Sequence, residues 1–205
     1  MQNLNSIRIN IADMSKLALK MLENTFRCFM EHDLDLLSDI LKDEHKLNDL
    51  EKEITIKLIE IGRSSSKKDE KTKVAIYTDI VGDLEMIGDY CKDILERVQM
   101  KIEEKLLFSD EAVKEYTQLY QKTEEALKDV VNALDKNEMC FANQVFKKGR
   151  LIDDLIDEYR KRHAQRLIEG ICSPLACNMF LNMLDFTGQI FHHTKSIASN
   201  ILKLK

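Results

Sequence analysis

The feature that most constrains this chain is the helical spacing of its apolar residues. Along most of the 205 residues they recur at intervals of three and four, without the sustained alternation that is typical of strands. With one Pro and six Gly, the sequence has few points at which a helix must break. Because each apolar stripe must be buried against another element, the chain is predicted to be all-α, a bundle of helices.

Six helices follow from this spacing. They are predicted over about 7–30, 34–62 and 70–106, and then from about 110, 138 and 174 onward. Arg63–Lys68, centred on three serines, is the clearest loop. Ser109 before two acids and Ser173 before a proline are both typical of helix starts. Gly170 is the residue type favoured just beyond a helix end.

The order of sequence features repeats in the two halves. A helix ending in LIEIG precedes a loop and a long helix containing LEMIGD, and later a helix ending in LIEG precedes a loop and a long helix containing LDFTGQ. Gly88 and Gly188 occupy equivalent places in these motifs, which indicates close helix approach there. We therefore predict two antiparallel three-helix bundles packed side by side, over 1–107 and 108–205.

The overall charge is acidic. A net charge of −5 and a pI near 5.6 argue against nucleic-acid binding, which requires a dense basic surface. The opening MQNLNSIRINIADMSK lacks the apolar core of a secretory signal, and no apolar run approaches the roughly 20 residues that span a bilayer. We predict a cytoplasmic protein that reaches the inner face of the plasma membrane only through a partner. The initial Met and the lack of a membrane segment favour a separate domain over a membrane-tethered one.

Five cysteines occur, an odd number, mostly among neighbours of core type. In a reducing cytosol they are expected to act as small buried apolar residues. Cys172 and Cys177 lack CxxC spacing and a nearby second pair, so a zinc knuckle is not expected. The full set is Cys28, Cys91, Cys140, Cys172 and Cys177.

Polar side chains interrupt two of the apolar stripes. In the second helix Glu44, Asn48 and Glu51 share the core-facing series with apolar residues. In the third helix Glu85 and Asp89 are four residues apart and project from one side. Like charges at that spacing repel, so they require solvent, a counter-cation or a metal ion. The pattern is consistent both with a carboxylate site for a divalent metal and with a solvated face.

These segments resemble the PhoU family. The run LEMIGDYCKDI at 84–94 resembles the family signature LERIGD…NI, with Met86 in place of the usual Arg. The second helix resembles the family's acid-x-x-x-Asn-x-x-Glu pattern, and the likeness extends over both halves of the chain. It implies a PhoU-like fold and a multinuclear iron or zinc cluster on the bundle surface. The ligands it implies are Glu44, Asn48, Glu51, Glu85 and Asp89.

The second half resembles a narrower group and also departs from the family pattern. HAQRLIEGIC at 163–172 is similar to the H..RL..G.C run in the PhoU-like tails of bacterial sodium/phosphate cotransporters. Gly149 stands where an acid would precede Asp153, and Gln189 ends a motif that would end in Asp. We therefore expect at most one good metal site, in the first half, and a degenerate or empty second one. The residues left for a poorer second site are Asp153, Asp185, His192 and His193, for which solvent-facing or core positions are the favoured interpretation.

The resemblance implies a regulatory or accessory protein of phosphate uptake. Such a protein would contact a membrane phosphate transporter, and a sensor kinase, through a helical surface. Catalytic triads, phosphate-binding loops and Rossmann fingerprints do not occur in a suitable context, so enzymatic activity is not expected. A carboxylate-bridged metalloenzyme would need Glu-x-x-His pairs, which the sequence lacks. A metal-free helical scaffold stays open as the alternative.

The last helix is rich in methionine and phenylalanine. These residues are expected to be core, and a surface for homo-oligomers is the lesser interpretation. They are Met179, Phe180, Met183, Phe186 and Phe191.

Overall fold

A computed structural model describes residues 4–33 and 35–204, and within those ranges the ordered elements are six long α-helices and no strand. In chain order they are α1 (Leu4–Glu31), α2 (Asp35–Ser64), α3 (Lys68–Glu103), α4 (Asp110–Lys136), α5 (Met139–Ile168) and α6 (Pro174–Leu202). The all-α prediction is confirmed. The predicted start of the second helix at residue 34 lies outside the described residues.

Two helix ends around α3 differ from prediction. The helical part of α2 continues through Ser64, so the connection to α3 is shorter than the predicted serine loop. At its other end α3 stops at Glu103 rather than near 106, because Lys105 takes a left-handed conformation with φ 51°. The backbone amide of Leu106 then donates to the carbonyl of Lys101 at 2.9 Å, which closes the helix end.

The predicted helix starts and the predicted stop are confirmed by their hydrogen bonds. Ser109 and Ser173 each accept a bond from the backbone amide three residues later, at 3.2 Å in both cases. Gly170 has φ 71°, and the amide of Ile171 donates to the carbonyl of Arg166 at 2.9 Å. This is the pattern by which a left-handed glycine ends a helix and reverses the chain.

The helices contact one another in two sets of three. Each of α1, α2 and α3 packs on the other two, and α4, α5 and α6 do the same. Contacts of α3 with α6 and of α1 with α4 join the two sets, whereas α2 and α5 pack only within their own set over the described residues. The predicted architecture of paired three-helix bundles is thus confirmed. Its division between 107 and 108 stays a prediction.

One continuous apolar core runs through both sets of helices. Tyr120, fully buried, donates its hydroxyl hydrogen to the carbonyl of Leu22 at 2.8 Å and stacks on Phe26, which ties α4 to α1. Of the methionines and phenylalanines noted in the last helix, all are buried except Phe186, which is partly exposed. Their assignment to the core is therefore confirmed in the main.

The cysteines only partly follow their predicted role as buried apolar residues. Cys28, Cys91 and Cys177 are buried, but Cys140 is exposed and Cys172 is half-buried. Cys140 lies in the first turn of α5, before Ala142, the first buried residue of that helix. For these two positions the sequence expectation was wrong.

Glycines allow close packing at equivalent points of the two bundles. A methyl group added at Gly88 would overlap Cδ2 of Leu47 on α2, and one at Gly188 would lie 3.0 Å from Cδ1 of Ile156 on α5. Gly82, one helical turn or more before Gly88, has no such neighbour within 4 Å. The repeated glycine therefore marks the place where α2 approaches α3 and α5 approaches α6.

Substitution of these glycines tests that packing. Gly88→Ala is expected to destabilise the protein by about 1 to 3 kcal/mol, because the side chain of Leu47 is fully buried and must shift to admit the added methyl group. Gly82→Ala on the same helix is the matched control and should stabilise by up to about 1 kcal/mol through helix propensity. Urea unfolding of both variants measures the difference. Equal stabilisation by both would show that the contact at Gly88 is not close.

Candidate metal centre

Of the three polar residues that interrupt the apolar stripe of α2, Glu44 is buried, whereas Asn48 and Glu51 are half-buried. Glu44 lies among the apolar core series of this helix and is 3% exposed. Its Oε1 accepts from Nδ2 of Asn48 at 3.1 Å and from Nζ of Lys92 at 3.3 Å. Its Oε2 and the Oδ1 of Asn48 are buried without a hydrogen-bond partner, although Nδ1 of His45 comes within 3.4 Å of that Oε2. Two acceptor oxygens that lack donors at a buried position are costly unless a cation or water reaches them.

The carboxylates of α3 lie opposite this stripe. Glu85 and Asp89 are both partly buried. Burial, followed by the charges of Asp89, Glu51 and Glu44, raises the pKa of Glu85. Burial and the charge of Glu44 raise the pKa of Asp89 in the same way. The mutual repulsion shows that all these acids share one region between α2 and α3.

The five predicted ligands are therefore neighbours without forming a tight set. Glu51 is partnered on its own helix, where its Oε1 accepts from Oγ1 of Thr55 at 3.1 Å. Among the described residues, these carboxylates do not bring three oxygens within 4.8 Å of one another. We refer to Glu44, Asn48, Glu51, Glu85 and Asp89 as the carboxylate face.

Basic side chains that the sequence analysis did not single out border the carboxylate face. Lys92 lies three residues beyond Asp89 on α3 and reaches across to Glu44. Asp43, 2% exposed, is held between Nζ of Lys20 at 2.6 Å and Nζ of Lys46 at 2.9 Å. The spacing of Lys92 from Asp89 was the available signal, since residues three apart share a helix side. These lysines offset only part of the negative charge.

His193 of α6 contacts α3 of the first bundle, so it lies beside the carboxylate face rather than in a separate site of the second half. Its Nδ1 lies 2.8 Å from Oδ1 of Asp83, and its ring packs beside Tyr90 with 5.8 Å between ring centres. Both partners are on α3, next to the carboxylate face. This contact links the two halves across the α3–α6 interface.

The acids of the second half have basic partners. Arg160 pairs with Asp185, and Nζ of Lys195 lies 3.8 Å from Asp153. Asp153, Asp185 and His192 line one shallow hollow between α5 and α6, together with Gln189. This hollow is the counterpart of the carboxylate face, but an arginine stands within it.

The chain is an all-α protein built from two three-helix bundles, with an acid-lined face between the second and third helices of the first bundle. Residues 11–98 match the family model of the PhoU domain. Residues 11–98 thus resemble the PhoU domain in sequence, and the fold of the described residues is that of solved PhoU structures. None of the curated proteins compared with the chain matches it significantly.

Solved structures with this fold include proteins from several bacteria. PhoU from Pseudomonas aeruginosa superposes with a TM-score of 0.91 at 17% identity, over 98% of this chain and 96% of that one. The phosphate transport system regulatory protein PhoU from Streptococcus pneumoniae gives 0.86 at 15% identity, over 98% and 94%. A PhoU-like protein from Shewanella oneidensis MR-1 gives 0.60 at 15% identity, over 98% and 96%. At these identities the likeness establishes the fold.

None of the described helices is both long enough and apolar enough to cross a bilayer.

The raised pKa values of the carboxylate face lead to a prediction about stability. In chelator-treated protein at pH 7, Glu85→Gln and Asp89→Asn are each expected to raise the midpoint of thermal unfolding. A carboxyl whose pKa is raised by folding stabilises the native state below its unfolded value near 4 and loses that contribution as pH rises. The gain from each amide should therefore shrink as the pH is lowered towards about 4.

Asp79→Asn provides the control for that measurement. Asp79 is an exposed acid on the same helix. Its substitution should leave the midpoint nearly unchanged at both pH values, since surface charges contribute little. A lower midpoint for Glu85→Gln and Asp89→Asn at pH 7 without metal would contradict the electrostatic account.

Proposed function

We propose that this chain is a regulatory or accessory protein of phosphate uptake that carries a metal cluster on its carboxylate face. The observation that supports the metal most directly is the pair of unpartnered buried oxygens, Oε2 of Glu44 and Oδ1 of Asn48. The regulatory role rests on the PhoU domain and on likeness to structures that include a phosphate transport system regulatory protein.

The residues of the carboxylate face fit a cation. Glu44 and Asn48 contribute from α2, Glu85 and Asp89 contribute from α3, and Glu51 adds further negative charge nearby. A bound iron or zinc ion would supply the positive charge that these oxygens lack and would remove the repulsion between them. Because α2 and α3 are separate helices of one bundle, an ion between them would also hold those helices together.

The second repeat is proposed not to hold a cluster. Arg160 and Lys195 already neutralise Asp185 and Asp153 there. An ion would have to displace two cations to enter, whereas in the first repeat it would meet oxygens without donors. The chain is therefore asymmetric in function although its fold is repeated.

The proposed partner is a membrane phosphate transporter, and a sensor kinase is a second candidate of the same pathway. The chain would act in the cytoplasm and dock at the inner face of the plasma membrane through its helical surface. Its negative charge of −5 disfavours nucleic acid as a partner. No reaction is assigned to it.

Elemental analysis of the untagged purified protein tests the metal site. The wild type is expected to retain iron or zinc in stoichiometric amount, and Glu85→Ala/Asp89→Ala is expected to lose it, because two of the five proposed ligands are gone. The matched control is Asp153→Ala/Asp185→Ala, which removes the equivalent acids of the second repeat and should leave the metal content unchanged. Trace metal in all three proteins would favour the metal-free scaffold.

Phosphate uptake by cells tests the regulatory role separately. In cells that lack the gene, the difference in uptake rate between phosphate-rich and phosphate-poor medium is expected to shrink, and expression of the wild-type chain should restore it. Uptake of an unrelated solute, such as an amino acid, serves as the control. An unaltered response to phosphate would contradict the proposed function, even if the metal site were present.

A further inference from the structure

A second group of possible metal ligands lies at the end of the bundle where α5 turns into α6. His163 is on the last turns of α5, Cys172 is in the connection, and Cys177 is in the first turn of α6. One ligand atom from each lies within 4.8 Å of the other two, and Nε2 of His163 is 4.0 Å from Sγ of Cys172. Over residues 4–33 and 35–204, no other three His, Cys, Asp or Glu side chains meet so closely.

The backbone on both sides of this group is held in place. Gly170, with φ 71°, ends α5 and turns the chain back towards it. Three residues later Ser173 caps α6 by accepting from the amide of Ala176. Cys172 is therefore placed between two closed helix ends, which brings it back over the side chain of His163.

The side chains are also positioned by burial. His163 is 1% exposed and Cys177 is 3% exposed, while Cys172 is half-buried. The imidazole stacks on the ring of Phe180 with 4.1 Å between centres. Two members of the group, His163 and Cys177, are thus buried, and the third, Cys172, lies at the protein surface next to solvent.

We propose that His163, Cys172 and Cys177 form a zinc site of the Cys2His kind. Thiolate and imidazole are the ligands that favour zinc over the harder cations expected at carboxylates. Tetrahedral zinc places such ligand atoms about 3.5 to 3.8 Å apart, so a closure of roughly 1 Å is enough to form the site. The fourth position, on the side of Cys172, is open to water or to a ligand from another molecule. This proposal does not depend on the carboxylate face.

The protonation states suit the binding of a cation with release of protons. Burial and the neighbouring Arg166 lower the pKa of His163 to about 4, so the ring is neutral near pH 7. Burial raises the pKa of Cys177, and the thiol is therefore protonated until a metal displaces the proton. One zinc ion would bind two thiolates and one neutral imidazole in a site of zero net charge, and the proton of Cys177 would be released.

Arg166 and Glu115 form a charged pair beside the site, and this pair can stabilise the zinc-bound form. Nη2 of Arg166 lies 3.2 Å from Nδ1 of His163, and Nη1 of Arg166 donates to Glu115 at 3.2 Å. When Nε2 binds zinc, Nδ1 must carry the ring proton and needs an acceptor. Glu115, 7% exposed and close enough to raise the pKa of the ring, is the carboxylate that would accept this proton if the guanidinium of Arg166 moved aside.

Cobalt substitution tests the site in the full-length, untagged and reduced protein. Co²⁺ bound by thiolates gives an intense sulfur-to-metal absorption that carboxylate ligands do not give. The wild type is expected to show this absorption up to one equivalent, and zinc should abolish it. Cys172→Ser and Cys177→Ser should each remove the absorption and weaken zinc binding at least about a hundredfold. Zinc affinity of the wild type should fall as the pH is lowered, because a thiol must release its proton to bind zinc.

Two controls separate this site from others in the chain. Cys140→Ser changes an exposed cysteine elsewhere on α5, and Glu85→Gln/Asp89→Asn disables the carboxylate face. Both proteins should keep the cobalt–thiolate absorption. Cys172→Ser is the decisive variant, because Cys172 is half-buried and its loss should leave the unfolding midpoint of the metal-free protein unchanged. Absence of the absorption in the wild type, or its persistence in Cys172→Ser, would overturn the proposal.

Discussion

The packing of α3 against α6 is the contact on which the rest of the structure depends. These helices join the two bundles, each also packs on both other helices of its own set, and the remaining junction is that of α1 with α4. Burial of their apolar faces supplies the hydrophobic free energy that holds six long amphipathic helices together. As a consequence α2 and α5 lie on the outside of the assembly, and within the described part of the chain each packs only in its own bundle. The two grooves that they form with α3 and α6 are where polar groups interrupt the core.

The first of these grooves has an electrostatic cost that packing alone does not explain. Glu44 is almost completely buried, and its neighbours Glu85 and Asp89 are ionised only against repulsion and lost hydration. Lys92 offsets one charge at Glu44 but leaves Oε2 without a donor. A chain selected for stability alone would be expected to place apolar side chains here. The presence of these acids on two facing helices is the physical argument for a ligand.

Much of the fold could be predicted from the sequence because its signals are local and repeated. Apolar spacing gave the six helices, and serine, proline and glycine gave the ends near Ser109, Gly170 and Ser173. The early end of α3 was missed, because Lys105 adopts a left-handed conformation that its residue type does not favour. The exposure of Cys140 was missed because the apolar residues next to it in sequence do not show which side of the helix is covered by other helices.

The candidate sites differ in how far the sequence could reveal them. The acids of the carboxylate face recur at helical spacing within α2 and within α3, so periodicity alone places each set on one side of its helix. Their buried oxygens and the approach of Lys92 depend on how the two helices pack, and those emerged only from the structure.

The cluster of His163, Cys172 and Cys177 shows the opposite case. Its spacing matches no familiar zinc pattern, because one ligand comes from a helix end, one from a turn and one from the next helix start. The chain reversal at Gly170 makes neighbours of residues that are nine and fourteen positions apart in sequence. The corresponding connection of the first bundle, between α2 and α3, carries serines and lysines instead. The repeated scaffold therefore offers equivalent turns and grooves in each half, and the residues placed there determine the chemistry. Carboxylate oxygens lie in the groove of the first half and cysteine sulfurs at the turn of the second, so under the two proposals each half would select its ion by ligand type rather than by fold.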